Sequence, residues 1–230
     1  MRSTSTARRR FLKGGVVAGA AALAGWPPEA WGRSGAAAGL AGSDGKYPLP
    51  PELNVLNSKA YGRRRIRKFQ DAVRKAGLDA LIISNRALQY VGYVTNYHPS
   101  SMQPGVVLVP AEGAPILFVQ MYSSAHARVA RRTMWVDEVV DVKKDPVSES
   151  SVLNFYSELT RALTDRKLTR GRLGVAGGEW DWFLPAYFRE RLPDAKTEDA
   201  NRLLWSRVAT RDEVELAILK WTSRLSDEVA

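Results

Sequence analysis

The chain has 230 residues, 45% hydrophobic and 25% charged, with 34 Lys+Arg against 24 Asp+Glu and a formal net charge of +10. It holds no Cys and only two His. That excludes a disulfide framework, a Cys-type zinc site, an iron–sulfur cluster and a cysteine nucleophile, and leaves little room for a His-based metal site.

Residues 1–44 read as a signal and linker. They carry six basic residues and two acidic ones, leaving 28 basic against 22 acidic, a net +6, on the rest. Such a balance suits a solvated surface, and no nucleic-acid partner is expected. Ala7-Arg8-Arg9-Arg10-Phe11-Leu12-Lys13 carries the twin-arginine export pattern through Arg8, Arg9, Phe11, Leu12 and Lys13. The apolar run from Gly14 to Trp26 is shorter than the roughly 20 residues that span a bilayer, and Pro27-Pro28 stops it. The segment therefore reads as a removable signal, not a stable membrane anchor, with a basic tail as the alternative. The export machinery is then a partner, and the destination is periplasmic or extracellular.

After a Gly/Pro-rich linker to Asn54, Asn57 or Ser58 caps a helix running to about Ala76, with Ile66, Phe69 and Val73 inward and Gly77 as the stop. Leu81–Ile83 is of strand length, and Asn85 opens a brief helix through Tyr90. Val106–Val109 and Ile116–Val119 flank a Pro/Gly turn as a hairpin. A helix at 123–132, a strand at 138–142 and a helix at 152–164 follow. In that last helix Leu153, Tyr156, Leu159 and Leu163 are expected to face inward. Leu173–Val175 is a strand, 185–192 a helix, 196–198 a strand and 202–205 a helical turn. Strands separated by helices imply an α/β class: a single layered domain over 45–209, with a mixed, mostly parallel sheet of about six strands flanked by helices.

Thr210-Arg211-Asp212-Glu213 is expected to act as a capping box for a final helix over 210–230. Its stripe Val214, Ile218, Trp221, Leu225 and Val229 keeps helical spacing to the last residues. An apolar stripe after a complete domain needs a partner, and the expectation is a following domain.

The order of segments resembles the N-terminal domain of the creatinase/prolidase/Xaa-Pro aminopeptidase family. The residues that carry it are Arg63–Ile66, the run Ala76-Gly77-Leu78-Asp79-Ala80-Leu81-Ile82-Ile83-Ser84-Asn85, and Gln89–Tyr93. The hairpin, Trp135–Val139, Gly171–Val175, Leu192–Ala195, Glu198–Ala200 and Thr210 with Glu213-Val214 follow in the family's order. Ala209 stands where the family usually has Lys, and Arg86 where it usually has Pro. The resemblance implies a noncatalytic domain that helps dimerise the enzyme and cover its active site. It also implies a missing "pita-bread" catalytic domain, in which two Asp, one His and two Glu hold two divalent metal ions. The parent would be a metal-dependent Xaa-Pro peptidase, although some relatives use metal-free chemistry. This chain alone is expected to carry no catalytic residue, no metal ligand and no cofactor. Its partners would be a second copy or the absent domain, with peptide substrate only in the full enzyme. A free-standing binding or dimerisation module is the alternative.

Tyr97 and His98 lie in a polar loop that the resemblance brings near a substrate pocket; a surface loop with a turn-forming Pro99 is the preferred reading. His126 reads as a solvated helix residue. Arg63, Arg64, Arg65, Arg67 and Lys68 form a basic run, read as a solvated face with an anion-binding face as the minor alternative. No aromatics interleave with it as single-strand binding needs. Trp180 and Trp182 flank Asp181, and packing explains them better than a stacking edge for sugar or peptide. The glycines of Gly171–Gly178 lack a Walker lysine and mark a strand's entry and exit. Nothing matches Gly-x-Ser-x-Gly.

Overall fold

The computed structural model describes residues 49–85, 89–97, 105–120, 124–143, 151–177 and 183–229. The export motif, His98, and Trp180 to Trp182 lie outside them, as does the side chain of His126. The chain falls into two compact units, Asn54–Leu216 and, separately, residues 1–53 with 217–230. In the second, the described residues are the start of helix α1 (Glu52–Leu56) and the later part of helix α8 (Glu213–Val229), where Ile218, Trp221 and Leu225 share a half-buried side.

The larger unit alternates helix and strand: α2 (Lys59–Lys75), β1 (Ala80–Asn85), α3 (Gln89–Thr95), β2 (Gly105–Pro110), β3 (Ile116–Val119), α4 (Ser124–Thr133) and β4 (Glu138–Asp141). Then come α5 (Ser151–Asp165), β5 (Arg172–Ala176), α6 (Phe183–Arg191), β6 (Lys196–Asp199), α7 (Asn201–Val208) and the first turn of α8. The six strands form one sheet in the order β4-β3-β2-β1-β5-β6. Three of its five pairings are parallel; the β2–β3 hairpin and the β1–β2 pair are antiparallel.

Because strand side chains alternate, the central strands serve two cores. Leu81, Ile83, Val107, Val109, Leu117 and Val119 face Phe69, Val73, Val91, Val94 and Leu204 of α2, α3 and α7. Ala80, Ile82, Val106, Leu108, Ile116 and Phe118 face Phe155, Tyr156, Leu159, Leu163, Leu184 and Phe188 of α5 and α6. Burial on both faces explains why β1 and β2 are continuous apolar runs. The edges differ. β4 exposes Glu138 and Asp141, and most of β6 is exposed. Glu138 pairs with Arg166 at 2.5 Å and Glu198 with Arg172 at 2.8 Å.

Ser58 caps α2, its hydroxyl accepting the Tyr61 amide at 3.1 Å. Gly77, at φ +67°, ends it in the left-handed conformation that a side chain disfavours. Three expectations shift. The segment after β1 becomes helical at Gln89 and runs to Thr95, later than Asn85–Tyr90. Leu153 is 51% exposed, because it lies roughly 100° round the helix from the arc defined by Phe155, Tyr156, Leu159 and Leu163. The short helical turn near Arg202 extends to Val208. Among the described residues, no helix is long and apolar enough to cross a membrane.

Candidate functional site

The sequence places five cations within six residues of α2, and helical geometry separates them. At about 100° per residue, Arg63 and Arg67 share one side, Arg64 and Lys68 the next, and Arg65 lies beyond those, opposite Arg63 and Arg67. Arg63, Arg64, Arg67 and Lys68 are exposed, whereas Arg65 is 7% exposed. The basic run is therefore not one face, and Arg65 is withdrawn from any solvent-facing role.

Arg65 lies among three rings, its guanidinium carbon 4.2 Å from the centroid of Tyr93, 4.9 Å from Tyr61 and 5.1 Å from Trp135. Gly62 makes the third contact possible. A Cβ there would lie 2.1 Å from Trp135 Cγ, so only glycine lets the indole rest on α2. The indole then donates from Nε1 to the Leu56 carbonyl at 3.0 Å. Arg65 donates to the Tyr93 carbonyl at 3.3 Å and to the Tyr61 hydroxyl, and pairs with Glu215 at 3.0 Å. Tyr61 passes the interaction on, donating to Asp212 at 2.7 Å. The direct Arg65–Asp212 separation is 4.0 Å, so Asp212 is reached mainly through the phenol.

Asp212 and Glu215 also start α8. The Glu215 amide donates to Asp212 Oδ1 at 3.1 Å, and the Asp212 amide to Glu215 Oε2 at 3.2 Å. This reciprocal capping box lies two residues beyond the expected Thr210–Glu213 one. Thr210 instead donates to the Ser206 carbonyl at 3.1 Å, finishing the preceding helix. Burial alone would raise the Asp212 carboxyl. The Tyr61 hydroxyl, the Glu215 amide and the charges of Arg65 and Lys68 outweigh it and hold Asp212 below the ordinary carboxylate range. Burial pushes the Tyr61 and Tyr93 phenols up, only partly offset by Arg65, so both stay neutral donors.

Above this network lies a cleft of about 240 Å³ between α2 and the α7–α8 junction, lined by Arg64, Lys68, Arg207, Thr210, Arg211 and Tyr93 together with the ion-paired residues below. The Tyr93 hydroxyl donates to the Arg207 carbonyl at 3.2 Å, fixing one wall. Five basic and two acidic side chains line the cleft, and both carboxylates are engaged by Arg65, Tyr61 and the helix cap. Arg211 reaches Glu215 at 3.4 Å.

Tyr97, expected near a substrate pocket, is 1% exposed within the α2-side core. Among the described residues, no group of three or more His, Cys, Asp and Glu could hold a metal ion. Sequence reasoning missed Tyr61, Tyr93, Trp135, Asp212 and Glu215 as one cluster. The available signals were the i,i+4 spacing of Tyr61 and Arg65 and the second Asp-x-x-Glu pattern at 212–215.

No curated protein sequence matches the chain. Among solved structures it is similar to a dipeptidase of Pyrococcus horikoshii OT3, with 18% identity and a TM-score of 0.52 over 71% of this chain and 42% of that one. A prolidase of the same organism gives 17% and 0.51 over 72% and 40%. The N-terminal domain of the cytoplasmic peptidase PepQ from Mycobacterium tuberculosis H37Rv gives 19% and 0.45 over 63% and 98%. The chain thus spans about two fifths of the Pyrococcus proteins, and at these identities the likeness is one of fold. Residues 65–207 match the Creatinase/Prolidase N-terminal domain, more than half of the sequence. The chain belongs to the creatinase/prolidase N-terminal domain family.

Proposed function

We propose that this chain is the noncatalytic N-terminal domain of an exported, Xaa-Pro peptidase-like metallopeptidase whose catalytic domain continues from α8. The family match over residues 65–207 carries the reading. The two Pyrococcus structures support it, since this chain accounts for only 40–42% of their length. The Arg65 cluster adds a physical reason: it holds the first turn of α8 against the sheet domain, so a domain joined to that helix would inherit a defined starting direction.

In this reading the domain covers the active site of the enzyme and contributes to pairing of two copies. The two divalent metals belong to the catalytic domain. The twin-arginine motif directs the folded protein out of the cytoplasm.

The test is the intact mass of the native protein purified from its source, with its C-terminal peptides sequenced. The expected protein is roughly twice as long or more, with an ordered Asp, Asp, His, Glu, Glu set beyond residue 230. A native mass at or below 25.5 kDa would overturn the enzyme-domain reading and favour a free-standing module.

A further inference from the structure

We propose that the cleft between α2 and the α7–α8 junction binds a compact phosphate-class polyanion. The inference does not rest on the parent enzyme's activity. Arg64 and Lys68, four residues apart on α2, face Arg207 and Arg211, four apart across the junction. Arg64, Lys68 and Arg207 have no carboxylate partner among the described residues. Arg207, in the last turn of α7, has a partial reason in the helix dipole. Arg64 and Lys68 lie within α2, and Arg211 lies between helices, so the dipole explains none of them.

Like charges gathered round one cleft repel one another unless an anion sits between them. Of the two carboxylates that could neutralise them, Asp212 is held by Tyr61 and the capping amide. Glu215 is held by Arg65 and the cap and also pairs with Arg211 at 3.4 Å, which leaves Arg64, Lys68 and Arg207 without one among the described residues. The net lining charge of +3 calls for a ligand with several negative charges in a small volume. A phosphoryl group offers three acceptor oxygens. Arginine forks meet them in a plane, and lysine adds a point charge. A polymer is the poorer fit: Arg63 and Arg67, which would extend such a track along α2, are exposed but do not line the cleft.

The full chain is titrated with pyrophosphate and orthophosphate by calorimetry at constant ionic strength, with citrate and heparin as comparison ligands. Two double variants of equal charge are used: Arg64→Gln with Arg207→Gln, and Arg63→Gln with Arg67→Gln. All four side chains are exposed, so both variants are expected to keep the wild-type melting temperature within a degree or so. The expected result is saturable one-to-one pyrophosphate binding, weakened by about tenfold or more in the first variant and by less than about twofold in the second. Equal loss in both variants, or no saturable binding, would overturn the site. Citrate binding as tightly as pyrophosphate would overturn the phosphate assignment, and binding of heparin alone would make the region a surface for polymers.

Discussion

Arg65 carries a positive charge into a nearly dry place, and its surroundings show how that is tolerated. Three aromatic faces, one carboxylate and a phenol that donates its own hydrogen bond to a second carboxylate replace the lost water. Removing one partner strands the charge. Glu215→Ala is expected to cost about 3 kcal/mol, the low end for a broken buried pair, because Asp212 remains nearby. Arg65→Met with Glu215→Leu is expected to recover most of that loss, since a packed apolar pair needs no solvation. Urea denaturation of wild type, the Glu215→Ala variant and the double variant measures both. A Glu215→Ala loss below about 0.5 kcal/mol, the level of an exposed pair, would contradict the burial argument.

The start of α8 gives the element-scale counterpart. Asp212 is both its N-cap and the end of the Arg65–Tyr61 relay, and its carboxyl is held below the ordinary value of about 3.9. A depressed folded-state pKa gives stability that is present above the unfolded value. That stability is lost as pH falls through the folded value. Wild type should therefore lose stability below about pH 4 more steeply than Asp212→Asn. Near neutral pH the variant should be weaker by about 1 kcal/mol through the lost charge on the Tyr61 hydrogen bond, since Asn caps about as well as Asp. Equilibrium unfolding between pH 2.5 and 7 reads both, and parallel curves for the two proteins would remove Asp212 from the acid response.

Elements with strong local signals were legible in the sequence. Ser58 and Gly77 bound α2 as expected, the hairpin formed around its Pro/Gly turn, and the glycines at 171 and 177 bracket β5. Between Thr210 and Glu215 two overlapping capping patterns compete. Only the third dimension chooses, because Tyr61 waits for Asp212 and Arg65 for Glu215. The Arg65 cluster was hidden for the same reason. Its members come from α2, α3, the loop after α4 and α8, and no spacing along the chain links Tyr93 or Trp135 to an arginine on another helix. The order of segments nevertheless pointed to the fold and to the family.

For the whole molecule, the two cores explain the architecture, and the proposed noncatalytic role sets an expectation for the described residues. No metal-binding group occurs among them, so Mn²⁺, Co²⁺ or Zn²⁺ should leave thermal stability of the chain unchanged. A genuine site at a hundredfold excess of metal over its Kd would add about 2.7 kcal/mol. For a domain of this size that is a shift of about 5–10 °C. Turnover of Xaa-Pro peptides is likewise expected to be absent. A metal-dependent shift with chelator-sensitive turnover would reveal a site elsewhere in the chain.

The charged margins of the sheet restrict how two copies could meet. A flat, apolar outer strand is a template that a second sheet can extend, strand against strand. Here both outer strands are four residues long, and each carries a glutamate tied to an arginine of its own chain. Adding a foreign strand would mean breaking those ties and laying backbone beside exposed charge. Both margins therefore disfavour edge-to-edge growth of the sheet into a fibre.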